Sequence, residues 1–142
     1  STRGGSSLYA FGLSSIASTA NTYRQNLKTL PEWRAALSSG RLPVERGLRL
    51  TTEDQRRREI ILGLMCERRL DYEHLGQRLG LDFARAFASE IAALADLEAD
   101  GIIERDHHGL RVTAQGVPLL RVVAMRFDPT FVAGATQHSQ TI

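Results

Sequence analysis

A mainly helical fold with one small β-hairpin is predicted for this chain from three observations. Apolar residues recur at helical spacing in several stretches, and capping residues or glycines bracket those stretches. One stretch, "IIERDHHGLRVT", has the composition of a hairpin instead. The 142 residues, 42% hydrophobic and 24% charged, are enough for one domain with a sizeable core and too few for two.

Residues 1–7 are small and polar. "LYAFGLSSI" follows, with Leu8, Leu13 and Ile16 apolar around Gly12, and reads as a short buried strand. It runs into "SSIASTANTYRQN", residues 14–26, which is too polar for a core element and reads as a loop. A lone strand cannot satisfy its own backbone groups, so its partners are expected outside this chain. The chain starts at Ser1 with neither methionine nor a signal-peptide pattern, and is expected to be a piece of something longer. The leading segment is then expected to be extended, or swapped onto a neighbour.

"KTLPEWRAALSSGRLP" suits a short helix, with Pro31 at its first position and Gly40 at its stop. Leu30, Trp33, Ala36 and Leu37 make its apolar stripe. A stronger helix starts at one of two capping-box-like pairs, Thr51 with Asp54 or Thr52 with Gln55. Ile60, Ile61, Leu64 and Met65 form its stripe. "LDY" is a candidate brief strand, and "EHLGQRLGL" a two-turn helix ending near Gly80. From Asp82 as cap to Gly101 as stop, Phe83, Phe87, Ile91, Leu94 and Leu97 keep one helical face. The hairpin has Gly109 at its tip, and "TAQGVPLLRVVAMRFD" closes with another helix. Helix, strand, helix, helix, hairpin, helix is the layout of a winged helix-turn-helix.

The expected organisation is therefore a strand and loop over 1–26, a connecting helix and linker over 27–50, a winged-helix-like domain over 51–133 and a flexible tail over 134–142.

Charge argues against DNA. The helix that would enter the major groove, residues 82–100, carries Arg85 against Asp82, Glu90, Asp96, Glu98 and Asp100, a sum of +1 − 5 = −4. A phosphate backbone would repel it. In the hairpin, Glu104 and Asp106 offset Arg105 and Arg111. No apolar run reaches the roughly 18–20 residues of a membrane span. The single cysteine, Cys66, excludes an internal disulfide and a multi-thiolate zinc site, which makes a reducing cytoplasm the default. Beside Met65 on an apolar helix, Cys66 reads as a buried, inert thiol. His107 and His108 sit at a hairpin tip without metal-ligand spacing, and no catalytic constellation is present. "RRR" at 56–58 reads either as a solvated face, with Glu53–Arg57 and Asp54–Arg58 ion pairs, or as an anion site.

Several stretches together, "FGLSSIASTANTYRQN", "RGLRLTTEDQRRREIILGLMC", "RLDY", "DGIIERDHHGLRVTAQG" and "LLRVVAMRFD", resemble the C-terminal portion of the oxygen-independent coproporphyrinogen III oxidases. The resemblance covers the chain from about Phe11 to Phe131. It implies an absent N-terminal radical SAM (TIM-like) barrel whose three-cysteine motif holds a [4Fe-4S] cluster. There, S-adenosylmethionine yields a 5′-deoxyadenosyl radical. Two propionates of coproporphyrinogen III are then oxidatively decarboxylated to vinyls, giving protoporphyrinogen IX for haem.

On the resemblance the chain is an accessory lid on its own barrel, inactive alone, with "LYAFGLSSI" as the barrel's last strand. Ile16 would pack on the adenine of S-adenosylmethionine. Tyr23, Gln25 and Asn26 match the family's Tyr-x-Gln-Asn and would shape the mouth or meet substrate. Arg57 and Arg58 match its paired arginines and would meet propionates. Phe11 and Ala17 depart from the family pattern. The competing readings are a winged-helix DNA-binding domain and a haem-carrying paralogue of the same superfamily.

Overall fold

The computed structural model describes residues 6–129. The chain divides into two compact units, one over residues 3–56 and one from residue 57 onward, the division falling within a helix. The described residues form helices and two small antiparallel three-stranded sheets, more strand than the one hairpin and two short strands expected from sequence.

In the first unit β1 (Ile16–Ser18), β2 (Thr22–Asn26) and β3 (Val44–Arg49) pair in the order β1-β2-β3. The stretch read as a polar loop is thus a hairpin. Its turn closes where the Thr19 amide donates to the Thr22 carbonyl at 2.9 Å and the two hydroxyls meet at 2.7 Å. Ladders on both edges of β2 stabilise a strand that buries little, so apolar periodicity carries no trace of it. "LYAFGLSSI" is not a buried strand. Leu8 makes one isolated bridge to Ser18, and Phe11 is 89% exposed. The backbone then turns through Gly12 and Ser14 at φ 94° and 53°. Among the described residues the partner of β1 is β2.

Helix α1 (Leu30–Ser38) has Pro31 in its first turn, and Gly40 follows it at φ 71°. Of its expected stripe only Ala36 is buried, while Leu30 and Leu37 are exposed. Helix α2 (Thr52–Glu67) starts on the first of the two capping pairs. The Asp54 carboxylate accepts from the Thr51 amide at 2.8 Å and its hydroxyl at 2.7 Å, and the Asp54 amide donates back to Thr51 Oγ1 at 3.1 Å. The second pair does not form a box: Thr52 is already helical, and Gln55 Nε2 donates to the Leu50 carbonyl at 3.4 Å.

In the second unit α2 leads to β4 (Arg69–Asp71) and α3 (Tyr72–Leu79). Asp71 caps α3 through the His74 amide, and Gly80 ends it in the left-handed region. The helix expected over 82–100 is three short ones, α4 (Phe83–Ala86), α5 (Ala88–Ala92) and α6 (Ala95–Ala99). A straight helix would string Phe83 to Leu97 along about 21 Å. Breaks at Phe87 and at Ala93–Leu94 let Phe83, Phe87, Leu94 and Leu97 all bury in one core. That core also takes Ile60 and Leu64 of α2, both fully buried. Cys66 lies on the other side of α2's stripe and is exposed, against the expectation of a buried thiol.

Strands β5 (Ile103–Arg105) and β6 (Gly109–Val112) form the hairpin, and β6 sits between β4 and β5. The closing segment is a 3-10 turn (Val117–Leu119) followed by α7 (Leu120–Met125), not one helix. Gly109 is not the hairpin tip. It opens β6, where a Cβ would stand 2.1 Å from the Leu70 carbonyl of β4, so close backbone approach requires glycine there. The tip is Asp106 to His108, closed by the Asp106 carboxylate accepting from the amides of His108 and Gly109. Gly109→Ala is expected to force β4 from β6 and cost about 2 kcal/mol in chemical denaturation. A loss below about 0.5 kcal/mol would show that the strands absorb a methyl. The expected tail, 134–142, lies outside the described residues.

Candidate cofactor and substrate residues

Pairing in the first sheet decides which side chains share a face. Ile16 is opposite Gln25, which is opposite Arg46; Ser18 is opposite Tyr23, which is opposite Leu48. Directly paired residues point the same way. One face therefore gathers Ile16, Tyr23 and Gln25 with Arg46 and Leu48. Ile16 is 53% exposed at the start of an edge strand, so a flat apolar ligand could cover it. Gln25 is held from both sides: its Nε2 donates to the Ser14 carbonyl at 3.2 Å, and its Oε1 accepts from Arg46 Nε at 2.9 Å.

Asn26 stands apart from that face. The ladder is irregular between Gln25 and Asn26, where Asn26 pairs with Val44. Asn26 is buried, at 8% exposure, and its Nδ2 donates to the Gly12 carbonyl at 2.9 Å and to Ser15 Oγ at 3.2 Å. A carbonyl only accepts, so the amide nitrogen must face it.

Arg57 and Arg58 belong to the other unit. Arg57 is embedded: Nη2 pairs with Glu90 Oε1 at 2.8 Å, Nη1 donates to the Phe127 carbonyl at 3.0 Å, and the guanidinium lies 5.3 Å from the Phe87 ring centroid. Glu90 is on α5, far along the sequence from Arg57, while Glu53 lies 4.0 Å from Arg56. Burial raises the Glu90 carboxyl, but hydrogen bonds from Ser89 and Arg57, with the Arg57 charge, outweigh it and hold the group below its ordinary range. Arg58 is half-buried.

The acidic excess over 82–100 is largely answered within the fold. Glu90 pairs with Arg57, Glu98 with Arg105 at 2.7 Å, and Asp96 with Arg126 at 2.6 Å. With three arginines added the sum becomes −4 + 3 = −1, so the repulsion of phosphate argued from sequence is weaker than the segment alone implies. Among the described residues no group of three or more His, Cys, Asp or Glu could hold a metal ion, and no helix is long and apolar enough to cross a membrane. The His107 and His108 rings lie against each other at a tilt of 41°, centroids 3.8 Å apart.

Sequence reasoning missed Arg46 and Leu48. Alternation in "VERGLR" was the available signal, and the glycine at its centre, Gly47, masks it as a turn. Gly47 lies opposite Arg24, and a Cβ there would make only ordinary contact, 3.5 Å from the Arg24 side chain and from the Tyr23 carbonyl.

Residues 50–119 match the HemN C-terminal domain family. The oxygen-independent coproporphyrinogen III oxidase of Helicobacter pylori is 35% identical over 131 residues, 92% of this chain and 29% of that protein. That of Synechocystis sp. is 40% identical over 127 residues, 87% of this chain and 27% of that protein. Among solved structures, coproporphyrinogen III oxidase (HemN) from Escherichia coli, described as a radical SAM enzyme, superposes with a TM-score of 0.86 at 36% identity. It covers 92% of this chain, which covers 30% of it. The helices and small antiparallel sheets thus match the fold of that HemN structure over this segment. Residues 50–119 of the chain belong to the HemN C-terminal domain family. It spans less than a third of the length of each of these three relatives.

Proposed function

We propose that the chain is the C-terminal part of an oxygen-independent coproporphyrinogen III oxidase, a cytoplasmic enzyme that turns two propionates of coproporphyrinogen III into vinyls. The observation that carries this reading is likeness at 35–40% identity over 85–92% of the chain, well beyond the matched domain. A [4Fe-4S] cluster with S-adenosylmethionine would supply the hydrogen-abstracting chemistry. One cysteine cannot hold such a cluster, so it would sit in an N-terminal barrel of the same polypeptide.

The residues of this chain would bind and orient. Ile16, apolar and exposed, offers a surface for the adenine face of S-adenosylmethionine. Tyr23 and Gln25 lie on the same face, and Arg46 adds a guanidinium suited to a propionate. Arg57 and Arg58 would meet propionates, Arg57 only at the expense of its bonds to Glu90 and the Phe127 carbonyl. The segment from α2 to α7 would be a winged-helix-like domain serving as a lid on the barrel.

The test is anaerobic turnover of the full-length protein with reductant, S-adenosylmethionine and coproporphyrinogen III. Protoporphyrinogen IX is expected, with loss of two carboxyl groups. Tight haem binding without decarboxylation would instead assign the haem-carrying paralogue. A mobility shift of duplex DNA that weakens with salt would assign a DNA-binding module.

A further inference from the structure

We infer that Asn26 is a positioning residue: its side-chain amide holds the turn over residues 12–15 and thereby fixes where Ile16 meets an adenosine-bearing ligand. The inference rests on the reading of Ile16 given above, and it moves Asn26 from substrate contact to support. Both contacts donated by Asn26 Nδ2 end on that turn, at the Gly12 carbonyl and at Ser15 Oγ. Ser15 Oγ in turn donates to the Gly12 carbonyl at 2.8 Å, closing a three-membered network. The main chain supports it: the Asn26 amide donates to the Ser15 carbonyl at 3.0 Å, and the Ser14 amide to the Leu27 carbonyl at 2.9 Å.

The turn needs such support. Two of its residues, Gly12 and Ser14, have positive φ, and Ser14 has a Cβ to accommodate there. A side chain in that region persists only where its surroundings over-determine it. Ile16 follows Ser15 directly and opens the edge strand. Any relaxation of the turn shifts the first residue of β1 before it shifts β2, which is held by two neighbours. A buried amide aimed at two acceptors of the turn, on the strand beside Ile16, is what a support for that side chain requires.

Asn26→Asp is the discriminating variant, because it keeps the shape and replaces the donor with a carboxylate facing the Gly12 carbonyl. In the full-length, cluster-loaded protein, the Kd for S-adenosylmethionine by equilibrium dialysis is expected to rise about tenfold. The Kd for methionine, which lacks the adenine, and the KM for coproporphyrinogen III should each change less than about twofold. General damage to the fold would move all three together. Amide exchange at Ser14 should quicken while that of α2 does not. Should Asn26→Asp fail to fold, Ser15→Ala removes one corner of the network and is expected to raise the same Kd about threefold. Wild-type affinity in the folded variant, or all three constants rising together, overturns the positioning role. Failure of the wild-type protein to bind S-adenosylmethionine would sink the reading of Ile16 instead, and Ser14 exchange would still report on the turn.

Discussion

Phe87→Ala is expected to lower the stability of the unit from residue 57 onward by about 4 kcal/mol. Phe87 is 2% exposed and stands in the middle of a run of rings, 5.0 Å from Phe83 and 6.4 Å from Phe127 by centroid. Tyr72 stacks on the far side of Phe83 at 5.1 Å. Removing the ring leaves a cavity whose walls belong to separate elements, so collapse recovers little of the lost contact. Phe87 is also where α4 gives way to α5. Its amide donates to the Phe83 carbonyl at 3.0 Å, and its carbonyl accepts from Ile91 at 2.9 Å, so main-chain bonds hold the break on either side. Phe87→Leu keeps most of the volume and is expected to cost about 1.5 kcal/mol. Denaturant titration of both variants gives the comparison. An alanine loss below about 1 kcal/mol would mean that the break at Phe87, rather than its ring, organises the core.

What the sequence made legible divides along burial. On the helices, spacing announced part of the common core: Ile60, Leu64, Phe83, Phe87, Leu94 and Leu97, named from periodicity, are buried, while Ile61, Met65 and Ile91 are only partly so. The caps at Thr51, Asp71 and Asp82 use short polar side chains whose bonds are local, which is why Asp82 was legible as a cap and Thr51 as one of two alternatives. The first unit was misread because its sheet buries little. All six residues of β3 are exposed, and β2 buries only Asn26, so no alternation marked β2 and the one in β3 was masked by Gly47. The breaks at Phe87 and Ala93–Leu94 were hidden for the opposite reason, since a bent helix keeps the same periodicity as a straight one. Of the candidate site, Ile16, Tyr23 and Gln25 were nameable by likeness to a family. Their shared face follows from a pairing register that no local pattern encodes.

Arg57→Ala is expected to cost about 3 kcal/mol, an effect of burial rather than of ligand binding. The Arg57 and Glu90 side chains keep only 16% and 15% of their surface in solvent. Truncation leaves the Glu90 carboxylate half-enclosed without its cation and removes the Phe127 carbonyl's donor and the charge beside the Phe87 ring. Replacing both partners, Arg57→Met with Glu90→Gln, should recover most of the loss, since no uncompensated charge remains. Acid tests the same pair in the unmodified chain. The folded Glu90 carboxyl lies below its ordinary value near 4.5, so its contribution is fully present above that value and disappears as pH falls through the lower, folded one. Arg57→Ala should therefore flatten the acid limb of the stability profile, and a limb unchanged in shape would exclude the pair as its source. Arg58→Ala is expected to cost less than about 1 kcal/mol. An increased KM for coproporphyrinogen III in Arg58→Ala with unchanged melting would mark Arg58 as a substrate contact. The same increase in Arg57→Ala, arriving together with lost stability, would mark only the helix that carries both.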